Sequence, residues 1–157
     1  MARIAVLFLA ALSLASCAPA QSPHDTTSAV TSQSGSSGGL PAPTPGDVRI
    51  RITAAQDSQS VAVPVNQRFA VELVGVPTAG YVWAPAQLPP FLTRAGEASG
   101  PTISAQNQPG FTGGNHWEVL MFAATGPGSG ELVLEQRRPW EANEPPAHVF
   151  RVTIVAR

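Results

Sequence analysis

From residue 48 onward, apolar and polar positions alternate with a period of two along much of the chain. Val48, Ile50 and Ile52 interleave with Arg49, Arg51 and Thr53, and Phe69, Val71 and Leu73 with Ala70, Glu72 and Val74. Leu132 and Leu134 stand between Glu131, Val133 and Glu135, while Phe150, Val152 and Ile154 alternate with Arg151, Thr153 and Val155. Alternation sends successive side chains to opposite faces, one toward a core and one toward water. It predicts strands at 48–53, 69–75, 131–136 and 149–155. Shorter candidates lie at 61–63, at 81–84, between 91 and 105, and at 117–124. No segment carries a convincing helical period; the best window, Trp117 to Ala124, is closed by Thr125-Gly-Pro-Gly128. Seven or so short strands, with turn signals roughly every 8 to 12 residues, predict an all-β, immunoglobulin-like antiparallel β-sandwich. Without a Cys pair in this region, apolar packing alone must hold the sheets together.

Strand order also predicts where the connections fall. In a mostly antiparallel sandwich, consecutive connections alternate between the two ends. With seven strands, the second, fourth and sixth connections contain Pro77 to Gly80, Gly110 to Asn115 and Arg138 to Trp140, and all three share one end. The turn Thr125 to Gly130 falls at the other.

The chain before residue 47 has a different character. Met1 to Ala20 carries one Arg at position 3, an apolar run from Ile4 to Leu14, and then small residues. The run is too short for a bilayer span of about 20 residues and has the form of a secretory signal. Leu14-Ala-Ser-Cys17 resembles the bacterial lipobox, which implies cleavage after residue 16 and lipidation of Cys17, the single Cys of the chain. Ala18 to Gly46 has 29 residues, 19 of them Ser, Thr, Gly or Pro, with Val30 and Leu40 as its large aliphatics. Such a segment buries little and reads as a flexible tether reaching on the order of 30 Å. The expected organisation is therefore a signal peptide at 1–16, a lipidated Cys and linker at 17–46, and one domain at 47–157. The resemblance implies a lipid-anchored protein of the cell envelope. Ala18, rather than Asp, follows the Cys, which in lipoprotein families usually goes with delivery to the outer membrane, so the resemblance implies the outer membrane of a Gram-negative bacterium.

Charge removes several function classes. Nine Arg, no Lys and ten acids give a net charge of −1, with the arginines scattered from Arg3 to Arg157. No basic stripe is present to displace counterions, so nucleic acid is not an expected partner. Without Lys, P-loop and Schiff-base chemistry are excluded. His24, His116 and His148 are far apart and lack Cys partners, so no metal site and no cofactor are expected. The domain has no Gly-x-Ser-x-Gly elbow, and Glu141 and Glu144 flank a Pro145-Pro146 loop where solvated carboxylates are ordinary. Gly126-Pro-Gly-Ser-Gly130 reads as a hairpin turn, not a phosphate cradle. No catalytic residues are assigned, and the protein is not expected to be an enzyme.

The informative residues lie between strands: Val76-Pro-Thr-Ala-Gly-Tyr-Val-Trp83, Pro109-Gly-Phe-Thr-Gly-Gly-Asn115 and Arg137-Arg-Pro-Trp-Glu141. In order and spacing they resemble the three signature loops of the chagasin family, proteinaceous inhibitors of papain-like cysteine peptidases. The resemblance spans about Val48 to Arg157. It implies reversible, non-covalent occlusion of a peptidase cleft by a monomeric domain. Pro77, Thr78, Ala79 and Gly80 would approach the catalytic dyad. Phe111, Thr112, Gly113 and Gly114 would run through the groove, and Arg138, Pro139 and Trp140 would anchor the primed side. Trp83 and Trp117 read as scaffold, and Tyr81 reads equally as a buried prop or a contact. Three departures from the family pattern stand out: Val76 replaces an Asn, Ala79 replaces a Thr, and Phe111 occupies or displaces the first Gly of the middle loop. They leave open an alternative in which the same scaffold serves as a non-inhibitory envelope interaction module.

Overall fold

The computed structural model describes residues 39–141 and 143–157. The expected signal peptide, Cys17 and the linker as far as residue 38 lie outside the described residues. Eight strands follow in order: β1 (Ile50–Thr53), β2 (Gln59–Val63), β3 (Arg68–Gly75), β4 (Val82–Gln87), β5 (Leu92–Pro101), β6 (His116–Ala124), β7 (Gly128–Arg137) and β8 (His148–Ala156). Three short 3-10 turns, and no α-helix, occur among the described residues. One sheet has the order β1-β3-β6-β5 and the other β2-β8-β7-β4. The chain is thus an immunoglobulin-like β-sandwich, with one strand more than the clearest alternations predict.

The additional strand is β2, which has only a short apolar run in the sequence. It carries the chain from one sheet to the other, so β1 and β3 return to the same sheet running parallel. β2 in turn lies parallel to β8. The remaining pairs are antiparallel. Because β2 precedes all three motif loops, it shifts their count equally. Following the strand directions, the β3–β4, β5–β6 and β7–β8 connections lie at one end, and the β2–β3, β4–β5 and β6–β7 connections at the other.

Between the sheets lies a core that includes Ile52, Phe69, Val71, Phe122, Leu132, Leu134, Val152 and Ile154. Phe69 and Phe122 are cross-strand partners with ring centroids 5.7 Å apart. A second buried cluster, Ala42, Val48, Ala70, Val119 and Met121, covers the outer face of the first sheet. Val119-Leu-Met-Phe122 is buried on both faces for this reason, as a continuous apolar run suggests.

The cover comes from residues 39–48, so packing onto the sandwich begins ahead of the expected domain boundary at Asp47. Leu40 N–H donates to the Thr102 carbonyl at 2.7 Å, and the Trp117 indole N–H donates to the Leu40 carbonyl at 2.7 Å. Ala42 and Thr44 turn inward while Pro41 and Pro43 face out. The Thr44 hydroxyl donates to Glu72 Oε1 at 2.5 Å. Prolines hold the segment extended without needing N–H partners, which suits a strap lying on a sheet.

Candidate functional site

The β3–β4 connection is a tight knuckle. Pro77–Ala79 forms one 3-10 turn, closed by Gly80 with φ of 84°. The Val76 carbonyl accepts from Ala79 N–H at 2.9 Å and from Tyr81 N–H at 3.2 Å, and the Pro77 carbonyl accepts from Gly80 N–H at 2.9 Å. Proline presets φ at the start of the turn, and glycine takes the left-handed conformation at its end. Thr78 and Ala79 are exposed at the tip, whereas Pro77 and Gly80 are half-buried.

Arg138 joins the β7–β8 connection to this knuckle. Its Nε donates to the Ala79 carbonyl at 2.9 Å, and Nη1 donates to Glu141 Oε1 at 3.0 Å. The guanidinium carbon sits 4.5 Å from the centroid of the Tyr81 ring, in cation–π range. Arg138 is therefore turned inward as a bracket. Pro139 and Trp140 project from it, and Trp140 is 70% exposed. One edge of the indole lies over Gly80: a Cβ there would stand 2.2 Å from Trp140 Cη2. Glycine is thus required at position 80 for close approach as well as for backbone conformation.

The β5–β6 connection is tied at its base by Gln106. Its Oε1 accepts from Thr102 N–H at 2.6 Å and Ile103 N–H at 3.0 Å, and its Nε2 donates to the Asn115 carbonyl at 2.7 Å. Beyond this knot the chain turns through Gly110, Gly113 and Gly114, all with positive φ. A Cβ at Gly113 would meet nothing, so glycine serves the backbone conformation there. Phe111 is 42% exposed and leans on Gly114; Thr112 and Gly114 are exposed, Gly113 less so.

The three connections share an end, but their coupling differs. The first and third touch through Arg138 and Trp140. Between the first connection and the strands that carry the middle one, β5 and β6, lies a cavity of about 420 Å³ lined by residues that include Pro77, Val82, Trp83, Glu97, His116 and Glu118. The residue with the most perturbed surroundings there is Glu118, which the motif loops do not point to. Its signal in the sequence is an acid on the same face of β6 as Leu120, Phe122 and Ala124. Glu118 Oε2 accepts from Trp83 N–H at 2.8 Å, and Oε1 is buried without a hydrogen-bond partner. Burial raises the Glu118 pKa above the ordinary value, the Trp83 N–H opposes this, the Glu97 charge adds to it, and His116 works against it. Because the folded pKa is raised, the ionised form costs stability above that pKa, and the cost disappears as pH falls below the unfolded value. Glu118→Gln is therefore expected to melt higher than the parent at pH 7. Thermal melts across pH should show the gap closing toward pH 4.5, the ordinary glutamate value.

With this geometry in view, the comparison with known families is decisive. The sequence model described as "Chagasin family peptidase inhibitor I42" matches residues 62–154, well over half of the chain. The chain belongs to the chagasin family. Its fold is similar to the crystal structure of the cysteine protease inhibitor EhICP2 from Entamoeba histolytica, with a TM-score of 0.58, 19% identity and coverage of 73% of this chain and 100% of that one. It is also similar to the solution structure of amebosin, with a TM-score of 0.54, 23% identity and coverage of 69% and 97%. No curated protein matches the sequence. All three motif connections fall inside the span matched to the chagasin family, while β1 and the strap precede it.

Proposed function

We propose that the domain inhibits papain-like cysteine peptidases by reversible, non-covalent occlusion of the active-site cleft with its three clustered connections. The observation that carries this reading is the Arg138 bracket. It fixes the Pro77–Gly80 knuckle beside an outward Trp140, giving a narrow, preformed edge. Membership of a peptidase-inhibitor family supports the same conclusion. Thr78 and Ala79 then approach the catalytic dyad, Phe111 to Gly114 follow the groove, and Trp140 anchors the far side. Preformed loops lose little freedom on binding, so more of the contact energy appears as affinity.

The departures from the family pattern are compatible with this role. The Val76 backbone carbonyl closes the knuckle by accepting two N–H groups, with no side-chain cap. Ala79 contributes its carbonyl to Arg138, which needs no hydroxyl. In this reading a lipid at Cys17 tethers a monomeric inhibitor to the cell envelope, in the outer membrane.

The test is titration of active papain with residues 35–157, which contain all eight strands and both buried clusters. Stoichiometric, reversible loss of activity supports inhibition. No inhibition of papain or related enzymes favours the non-inhibitory interaction module. Arg138→Lys keeps the charge but cannot reproduce the planar fork. Loss of one hydrogen bond and the stacked contact, about 1 kcal/mol each, is expected to raise the inhibition constant by roughly tenfold or more.

A further inference from the structure

The strap Gly39 to Thr44 precedes the span matched to the chagasin family, yet it meets the sandwich at the end that carries the three connections. Gly39 pairs with Ile103 in an isolated antiparallel bridge. Leu40 donates to Thr102 and accepts from the Trp117 indole. Pro43 lies against Gly100, where a Cβ would stand 3.2 Å from Pro43 Cγ. Thr44 reaches Glu72 on β3. From there the segment continues to Val48, buried beside Ala70, Val119 and Met121.

These contacts fall on the residues from which the middle connection hangs. Thr102 and Ile103 are the two residues whose N–H groups Gln106 Oε1 receives, and Gln106 ties them across the loop to Asn115. The Thr102 hydroxyl adds a bond to the Asn115 carbonyl at 3.0 Å. Trp117, the second residue of β6, stands at the other foot of the loop and pairs with Gly100. The strap thus grips both feet of the loop at once: one through the Thr102 carbonyl and the Ile103 bridge, the other through the Trp117 indole. Beyond the knot, Phe111 N–H donates to the Gln108 carbonyl at 3.2 Å, and the Gly114 carbonyl lies 3.3 Å from His116 Nδ1.

We infer that the strap is a brace for the β5–β6 connection, holding it in the shape in which it meets a peptidase and so setting inhibitory potency. The part of this concerning potency rests on the inhibitory reading. The part concerning the loop does not. A domain cut at Asp47 would keep the three signature loops and lose the brace.

The experiment compares residues 35–157 with the same chain lacking residues 39–44 and with Trp117→Phe. The latter removes the indole N–H but keeps an aromatic ring over the outer cluster. Hydrogen exchange of the free proteins and papain inhibition are measured together. Losing two or more hydrogen bonds at the loop's feet, about 1 kcal/mol each, should raise amide exchange at 102–111 and the inhibition constant by roughly tenfold or more in the deletion. The same changes, smaller, are expected in Trp117→Phe, with exchange in β7 and β8 unchanged in that variant. Unchanged exchange at 102–111 in both variants overturns the brace. Raised exchange with undiminished inhibition overturns its link to potency. If the parent itself does not inhibit papain, the inhibitory reading fails, and the exchange data alone decide whether the strap braces the loop.

Discussion

Replacing Trp140 with Ala is expected to raise the inhibition constant for papain about 30-fold or more, corresponding to roughly 2 kcal/mol, with almost no change in melting temperature. The indole is 70% exposed in the free domain, so its removal sacrifices little of the folded protein's packing. Its contact with Gly80 holds it beside the knuckle, and a pre-positioned aromatic loses little freedom when a partner covers it. Inhibition kinetics and a thermal melt on the same preparation check both halves. A variant that melts much lower but inhibits as well as the parent would assign Trp140 to the fold instead of the contact.

Phe122→Ala should do the reverse. Phe122 is fully buried between the sheets and faces Phe69 across the β3–β6 pair. Truncating a buried Phe removes its transfer free energy and leaves a cavity, at a cost of about 3 to 5 kcal/mol. At roughly 4 to 8 °C per kcal/mol for a domain near this size, the melting temperature should fall by more than about 10 °C. Measured below the transition, the inhibition constant per folded molecule should stay within a factor of about two, since Phe122 lies in the core and not in the connections. Urea or thermal unfolding paired with active-site titration separates the two effects.

The contrast between these residues tracks what was legible in the sequence. Strict alternation in β3, β7 and β8 exposed the interior face, because each of these strands carries several large apolar residues at every second position. β2 was only partly visible: Gln59 and Ser60 are exposed at a sheet edge and leave no alternation to read. β5 was harder still. From Thr93 to Gly100 it offers small or charged residues, its register shifts between Arg94 and Gly96, and its outer face meets a strap instead of a second sheet. The strap itself resembled linker because it buries only Ala42 and Thr44, and its attachment at Gly39 and Leu40 is through backbone groups, which composition does not register.

Loop placement was recoverable despite the missing strand, since strand direction depends on parity and β2 precedes every motif loop. Individual roles were less so. Arg138 was expected among the contact residues, and although its bond to Glu141 is local, its bond to Ala79 and its place over Tyr81 depend on a three-dimensional meeting of β4 and β7 that no local spacing encodes. Glu118 was readable in principle as an acid on a core-facing position. The cavity that leaves its Oε1 unpartnered was not.

The most direct test of the central claim is hydrogen exchange of residues 35–157 with and without saturating papain. The expected result is slowed exchange at 76–81, 102–115 and 138–141 together, with the 64–67, 88–91 and 125–127 connections unaffected. Protection confined to that opposite end, or to a sheet face while the three motif connections exchange as before, would contradict it.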